Sequence, residues 1–207
     1  MKLNIVASYT VTNKKRNMDS IQFQVTLIVI SFISSIFVPF IILYPIQEIL
    51  FKPQSVWYFE APFSAYVIFM AAIIVTSIIL LINVLSEPKT KMKNRLKLGI
   101  TFTSLITVVI IIGLCLFNYE YMNSNGIYKN KFFSLEEEFI GWNEIKDAKQ
   151  IFVKKDGVTK DDKFYFTLQD GTILEMDITG KVKKNKRYIR QYLKKNKVII
   201  ENVYPNE

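Results

Sequence analysis

The sequence predicts a multi-pass α-helical membrane protein, with three transmembrane helices followed by a C-terminal α+β module. Three observations carry that prediction. The stretches Gln24–Tyr44, Phe63–Leu85 and Leu98–Phe117 contain no Lys, Arg, Asp or Glu, and each matches the ~20 residues a helix needs to cross a bilayer core. Charge is segregated: the first 118 residues hold ten basic and four acidic residues, the remainder seventeen and fourteen. Beyond Asn125 the pattern turns to period-two alternation punctuated by Asn-Gly and Asp-Gly pairs, which predicts antiparallel strands and tight turns. The chain therefore divides into a basic N-terminal segment (1–23), a three-helix region (24–118) and a module over 125–207.

Composition removes several classes of chemistry. The 207 residues include no histidine, which takes away the usual general base and the commonest transition-metal ligand. The single cysteine, Cys115, lies inside the third apolar stretch and has no intramolecular partner. No glycine-rich phosphate loop or dinucleotide fingerprint occurs. The run Glu136-Glu137-Glu138 and the segment Asp156–Asp162 lack the alternating ligands and closing Glu of a calcium loop, so both read as solvated turns. The expectation is a non-enzyme with no catalytic residues, no cofactor and no metal. The net charge of +9 does not read as nucleic-acid binding, because it lacks a basic face interleaved with stacking aromatics. The wealth of Ile, Lys and Asn matches AT-rich coding and suggests a bacterial source.

Taken in order, residues 1–23 are polar and basic, with Leu3–Val11 short enough for a strand and Lys14-Lys15-Arg16 preceding the first span. That span is longer than a signal-peptide core and no small-x-small site follows, so it reads as an uncleaved anchor. Ser31, Ser34 and Ser35 suit close helix packing, and Pro39 predicts a kink. In the loop Pro45–Pro62, Trp57-Tyr58-Phe59 reads as an interfacial aromatic belt. The second span, Phe63–Leu85, is the most apolar; Asn83 lies near its end and is given no role. The segment Ser86–Lys97 then sets Lys89, Lys91, Lys93, Arg95 and Lys97 against Glu87 alone. Short basic loops stay cytoplasmic, so the N-terminus is expected inside the cell membrane and the C-terminal module outside. In the third span, Thr101, Thr103, Ser104 and Thr107 are expected to pack against the Ser face of the first helix.

In the module, strands are expected over Ile127–Phe133, Glu136–Ile140, Ala148–Lys154, Lys163–Gln169 and Thr172–Ile178. Asp170-Gly171 is the strongest hairpin signal. The alternation turns Phe164, Phe166, Leu168, Leu174, Met176 and Ile178 inward, and a slip by one residue would bury Glu175 and Asp177. From Lys181 to Lys197 the period becomes helical, with Val182, Ile189, Tyr192 and Leu193 on one stripe. A final strand is expected over Val198–Val203. The sum is five or six antiparallel strands flanked by one basic amphipathic helix.

The succession Asn-Gly-Ile-Tyr, then Phe139–Ile145 (Phe-Ile-Gly-Trp-Asn-Glu-Ile), a Lys-Asp-Gly turn, a hairpin and a C-terminal amphipathic helix resembles bacterial pleckstrin-homology-like domains. The resemblance covers the last ~80 residues. It implies a PH-like sheet or partial barrel in which Trp142 and Ile145, with Glu144 between them, form the element that plugs one end. It also implies a membrane-flanked protein of Gram-positive bacteria, in a group some of whose members protect the cell against membrane-active peptides. It supplies no ligand-binding residue.

The candidate interaction surface comes from the helix itself: Lys183, Lys184, Lys186, Arg187, Arg190, Lys194 and Lys195. Basic amphipathic helices lie on anionic surfaces. The expected function is that of a membrane-anchored binding module whose partners are the lipid bilayer and another membrane protein, a peptide or an anionic envelope polymer, with a homo-oligomer compatible. The alternative is a non-catalytic subunit of a transport or signalling assembly, working through Ser31, Ser34, Ser35, Thr103, Thr107 and the Pro39 kink.

Overall fold

The computed structural model describes residues 2–86, 90–132, 134 and 136–204, with side chains from Ile21 onward. The chain forms two compact units: a helical one over residues up to 46 and 63–116, and a second built from Gln47–Pro62 together with Phe117–Glu207.

The helical unit contains α1 (Lys2–Phe51), α2 (Phe63–Leu85) and α3 (Lys91–Leu116). All three are long and apolar enough to cross a membrane. Leu3–Val11 is helix rather than strand. No Gly or Pro interrupts the chain before Pro39, so nothing stops the apolar helix from running back through the basic segment. The helix also continues through Pro39 and Pro45 to Phe51, past the expected end at Tyr44. Likewise α3 starts at Lys91 and so takes up most of the basic loop; Glu87 and Lys89 of that loop lie outside the described residues.

The hydroxyl groups do not link α1 to α3 as expected. Ser35 donates to Phe32 O and Thr107 to Thr103 O, each within its own helix, the usual way a hydroxyl satisfies itself in an apolar helix. The polar link runs between α2 and α3 instead: Asn83 Nδ2 donates to Thr101 Oγ1 at 2.7 Å.

The second unit holds eight strands in two four-stranded sheets plus α4 (Gly180–Lys195). One sheet, order β1-β2-β3-β4, uses β1 (Tyr58–Glu60), β2 (Tyr119–Met122), β3 (Gly126–Asn130) and β4 (Glu138–Gly141). The other, order β7-β6-β5-β8, uses β5 (Ile145–Lys155), β6 (Val158–Leu168), β7 (Ile173–Asp177) and β8 (Ile200–Val203). Every pairing is antiparallel except β5 with β8.

The module is therefore larger than residues 125–207, and two strands were not foreseen. Trp57-Tyr58-Phe59 is not a belt at the membrane surface: Tyr58 and Phe59 are 2% and 4% exposed, because β1 closes the first sheet on β2, in register Phe59 with Tyr121. That pairing joins residues on either side of α2 and α3. The expected facing of β6 and β7 holds, with Phe164, Phe166 and Met176 buried and Ile173, Glu175 and Asp177 exposed. The tightest hairpin is the two-residue one between β5 and β6, where Asp156 (φ 56°) and Gly157 (φ 75°) both take the left-handed conformation that a type I′ turn requires.

One core serves both sheets and α4. It includes Tyr58, Ile127, Trp142, Ile145, Phe164, Phe166, Ile189 and Leu193. At ~25 cal/mol per Å² of apolar area, such large side chains each contribute ~1.5–3 kcal/mol when buried.

Candidate functional site

The candidate surface is the solvent face of α4. This helix carries eight Lys or Arg in 16 residues and no acidic residue. Its start is set by Thr179, whose Oγ1 accepts from Val182 N. Its end is a Schellman turn: Val198 N donates to Leu193 O and Lys197 N to Lys194 O, both at 3.0 Å, with Lys197 at φ 62°. Buried Val198 meets buried Leu193 across that turn, the apolar contact that accompanies this cap.

Val182, Ile189 and Leu193 face the core. At ~100° per residue, Lys183, Arg187, Arg190 and Lys194 form one line about 110° round the helix from that stripe, and Lys184 and Lys195 lie nearer the point opposite it. The structure divides the seven expected cations. Lys183, Lys184, Arg187, Lys194 and Lys195 are exposed and have no ion pair among the described residues. Lys186 is half-buried and Arg190 exposed, and both are bonded to side chains of the module. Lys186 Nζ lies 2.9 Å from Asp161 Oδ1 and sits over the Phe152 ring. Arg190 Nη2 donates to Gln150 Oε1 at 2.7 Å, and Gln150 Nε2 donates to Asp161. Gln150 is fully buried, so these groups satisfy one another where an unpaired one would cost ~1–3 kcal/mol.

Helix stability does not account for the five free cations. Like charges three or four residues apart, as at Lys183 and Arg187, oppose the helix by ~0.2–0.5 kcal/mol a pair. Lys183 also stands near the positive end of the helix dipole, where acidic residues are favoured and α4 has none. Only Lys194 and Lys195, in the last turn, complement the dipole.

Beneath the N-terminus of α4 lies a second polar cluster that sequence reasoning missed. Tyr58 Oη lies 2.7 Å from a Glu120 oxygen and 2.9 Å from a Glu60 oxygen, with its one proton shared between the two carboxylates. Glu60 also accepts from Thr179 Oγ1 at 2.6 Å, and Lys181 Nζ donates to Phe59 O at 3.2 Å. The strand between α1 and α2 thus holds the capping residue of α4. Burial, followed by the charges of Glu120 and Glu60, raises the Tyr58 phenol far above its ordinary value. Burial lowers the Lys181 ammonium. The only available signal was the aromatic triplet, which fits a membrane belt equally well.

The other face of the first sheet is an aromatic ladder running Phe59, Tyr119, Tyr121, Tyr128, Phe139, with the last two steps at 4.5 and 4.6 Å between centroids. Glu137 accepts from the phenols of Tyr119 and Tyr121, so it is not a free turn residue. Burial, reinforced by Glu137, raises both phenols.

Trp142 and Ile145 sit in the shared core, and the Trp142 indole donates to Asn123 O at 3.0 Å. Glu144 is exposed, and its backbone carbonyl accepts from Gln169 N. No group of three or more His, Cys, Asp or Glu able to hold a metal occurs among the described residues. The arrangement offers charge and donors for binding. No family model matches the chain, and no similar curated protein or solved structure is found.

Proposed function

We propose that the chain is a membrane-anchored binding module in which the exposed stripe of α4 engages an anionic ligand on the extracytoplasmic side. The observation that carries this is the set of five exposed cations without an ion pair among the described residues, on a helix that has no acidic residue to balance them. The anionic partner is a phosphate-rich one, either lipid headgroups or an envelope polymer. Two further features support a PH-like reading of the module. The first seven strands fall into a group of four and a group of three, each wholly antiparallel, and a helix follows them near the C-terminus. Trp142 and Ile145 are core residues, in keeping with a plug.

The sidedness has its own support. The pairing of β1 with β2 needs an even number of crossings between Glu60 and Tyr119, and α2 and α3 supply two. The basic N-terminal segment and the Lys91–Lys97 region then share the opposite side, as the positive-inside rule favours.

The test uses the full-length protein in zwitterionic nanodiscs, presented with vesicles rich in phosphatidylglycerol or with poly(glycerol phosphate). Binding to at least one should weaken more than tenfold when Lys183, Lys184, Arg187, Lys194 and Lys195 are all changed to Gln, and should fall as salt is raised. Unchanged binding by that variant, or no binding by the native protein at low salt, would overturn the reading. A signalling subunit is a second reading, favoured by one observation: β1, the folded part of the α1–α2 connection, is bonded to the cap of α4, so a load on the module reaches both helices.

A further inference from the structure

The helical unit carries a site of its own. A cleft of about 350 Å³ lies between the C-terminal end of α2 and the basic N-terminal end of α3. Ser86, Lys93 and Lys97 line one end, and Ile79, Ile82 and Ile100 line the other. Its polar end coincides with the boundary of the apolar spans, since α2 ends at Leu85 and the uncharged part of α3 begins at Leu98. We propose that this cleft binds one anionic phospholipid, with the phosphate at Lys93 and Lys97 and an acyl chain along the isoleucines.

Lys97 is preorganised for this. Its ammonium donates to Asn83 O at 2.5 Å and Ser86 O at 2.7 Å, the unsatisfied carbonyls at the end of α2. An ammonium has three donors, so one is left for a ligand while the other two fix its position. Thr101 accepts from Asn83 Nδ2 and donates to Lys97 O, which holds the two helices in register beside the cleft. Lys93 stands one turn before Lys97, on the same side of α3. It is exposed and has no ion pair among the described residues.

The shape selects an amphiphile over a free anion. From Lys93 to Ser104, which also lines the cleft, the helix rises ~16 Å at ~1.5 Å per residue. That length accommodates a phosphate, a glycerol and the upper part of a chain. An inorganic anion would fill the cationic end and leave water against Ile79, Ile82 and Ile100. A neutral lipid would fill the apolar end and leave Lys93 uncompensated.

The experiment is native mass spectrometry of the full-length protein in mild detergent, with phosphatidylglycerol, phosphatidylcholine and inorganic phosphate each offered. The native chain should retain one phosphatidylglycerol at least fivefold over phosphatidylcholine, and inorganic phosphate should not displace it. Lys93→Gln, which removes no hydrogen bond seen in the structure, should lower retention at least fivefold. Lys91→Gln deletes the same charge from the same segment but outside the cleft, and should stay within twofold. Ile79→Trp fills the apolar end without changing charge and should also lose the lipid, with thermal unfolding confirming that it folds. Equal losses from Lys91→Gln and Lys93→Gln would show diffuse surface attraction and overturn the proposal. So would retention by a folded Ile79→Trp, or full displacement by inorganic phosphate.

Discussion

The second unit contains strand pairings built in opposite ways. The β5–β6–β7 part of the second sheet is assembled from neighbours in sequence, through the two-residue turn at Asp156-Gly157 and the Asp170-Gly171 turn. The β1–β2 pair is assembled from segments about sixty residues apart, with two apolar helices between them. The first sheet depends on side chains that make its strands meet: Tyr58 bridging Glu60 and Glu120, and the ladder from Phe59 to Phe139. The second depends on turn chemistry and alternation. Local signals thus suffice for β5, β6 and β7, and long-range packing has to supply β1.

That contrast can be broken at its distant end first. Tyr58→Ala removes a ring that is 2% exposed and should cost ~3–5 kcal/mol, seen as protease sensitivity of residues 117–204 in the full-length protein although the change lies in the first loop. If only the loop becomes sensitive, β1 is an accessory and not part of the sheet's closure. Gly126→Ala comes next. A Cβ there would stand 2.2 Å from Ile140 O, so β3 and β4 must separate, at ~3 kcal/mol in a thermal or denaturant melt.

Tyr58→Phe keeps the ring and removes the bridge. It should cost ~1–2 kcal/mol near neutral pH. The folded-state pKa of Tyr58 is raised above its ordinary value of 10.0 by burial and by Glu120 and Glu60, so above about pH 10 the folded state holds a proton that the unfolded chain releases. Stability therefore falls as pH rises past 10. The variant's alkaline limb should be shallower, with Tyr119 and Tyr121, also raised by burial, accounting for what remains. The smallest effect belongs to the local sheet: Gly171→Ala, at φ 88° with open space around it, introduces turn strain alone and should cost ~1 kcal/mol.

The same contrast explains what the sequence revealed. The three uncharged stretches, the Phe164/Phe166 face and the stripe Val182, Ile189, Leu193 were legible because each repeats at one period over many residues. β1 was not legible. Tyr58–Glu60 is three residues long, and its partner lies beyond two spans, so no local pattern distinguishes a core strand from a membrane belt. β2 was hidden for a related reason: Tyr119–Met122 follows directly on the third apolar stretch and reads as its tail. Of the candidate site, the basic stripe was visible, but the division within it was not. Lys186 and Arg190 lie nearer the core stripe than Lys183 and Arg187, but the groups that engage them, Asp161 and Gln150, are placed there by β6 and β5. Asn83, given no role from its position near a span end, is the residue that ties α2 to α3.

The placement of β1 also orders the protein's biosynthesis. Tyr58–Glu60 is made about sixty residues before its partner Glu120–Met122, and the two can meet only if the helices between them behave alike, both crossing or neither. Until they meet, the edge of β1 and the phenol of Tyr58 wait unpaired at the membrane. Completion of the first sheet, and with it the seating of Thr179 on Glu60, is incompatible with one of α2 and α3 having crossed without the other. A chain that inserted only one of them would leave β2 on the wrong side and the cap of α4 without its carboxylate. The module's own folding then serves as a checkpoint on the topology of the spans that precede it.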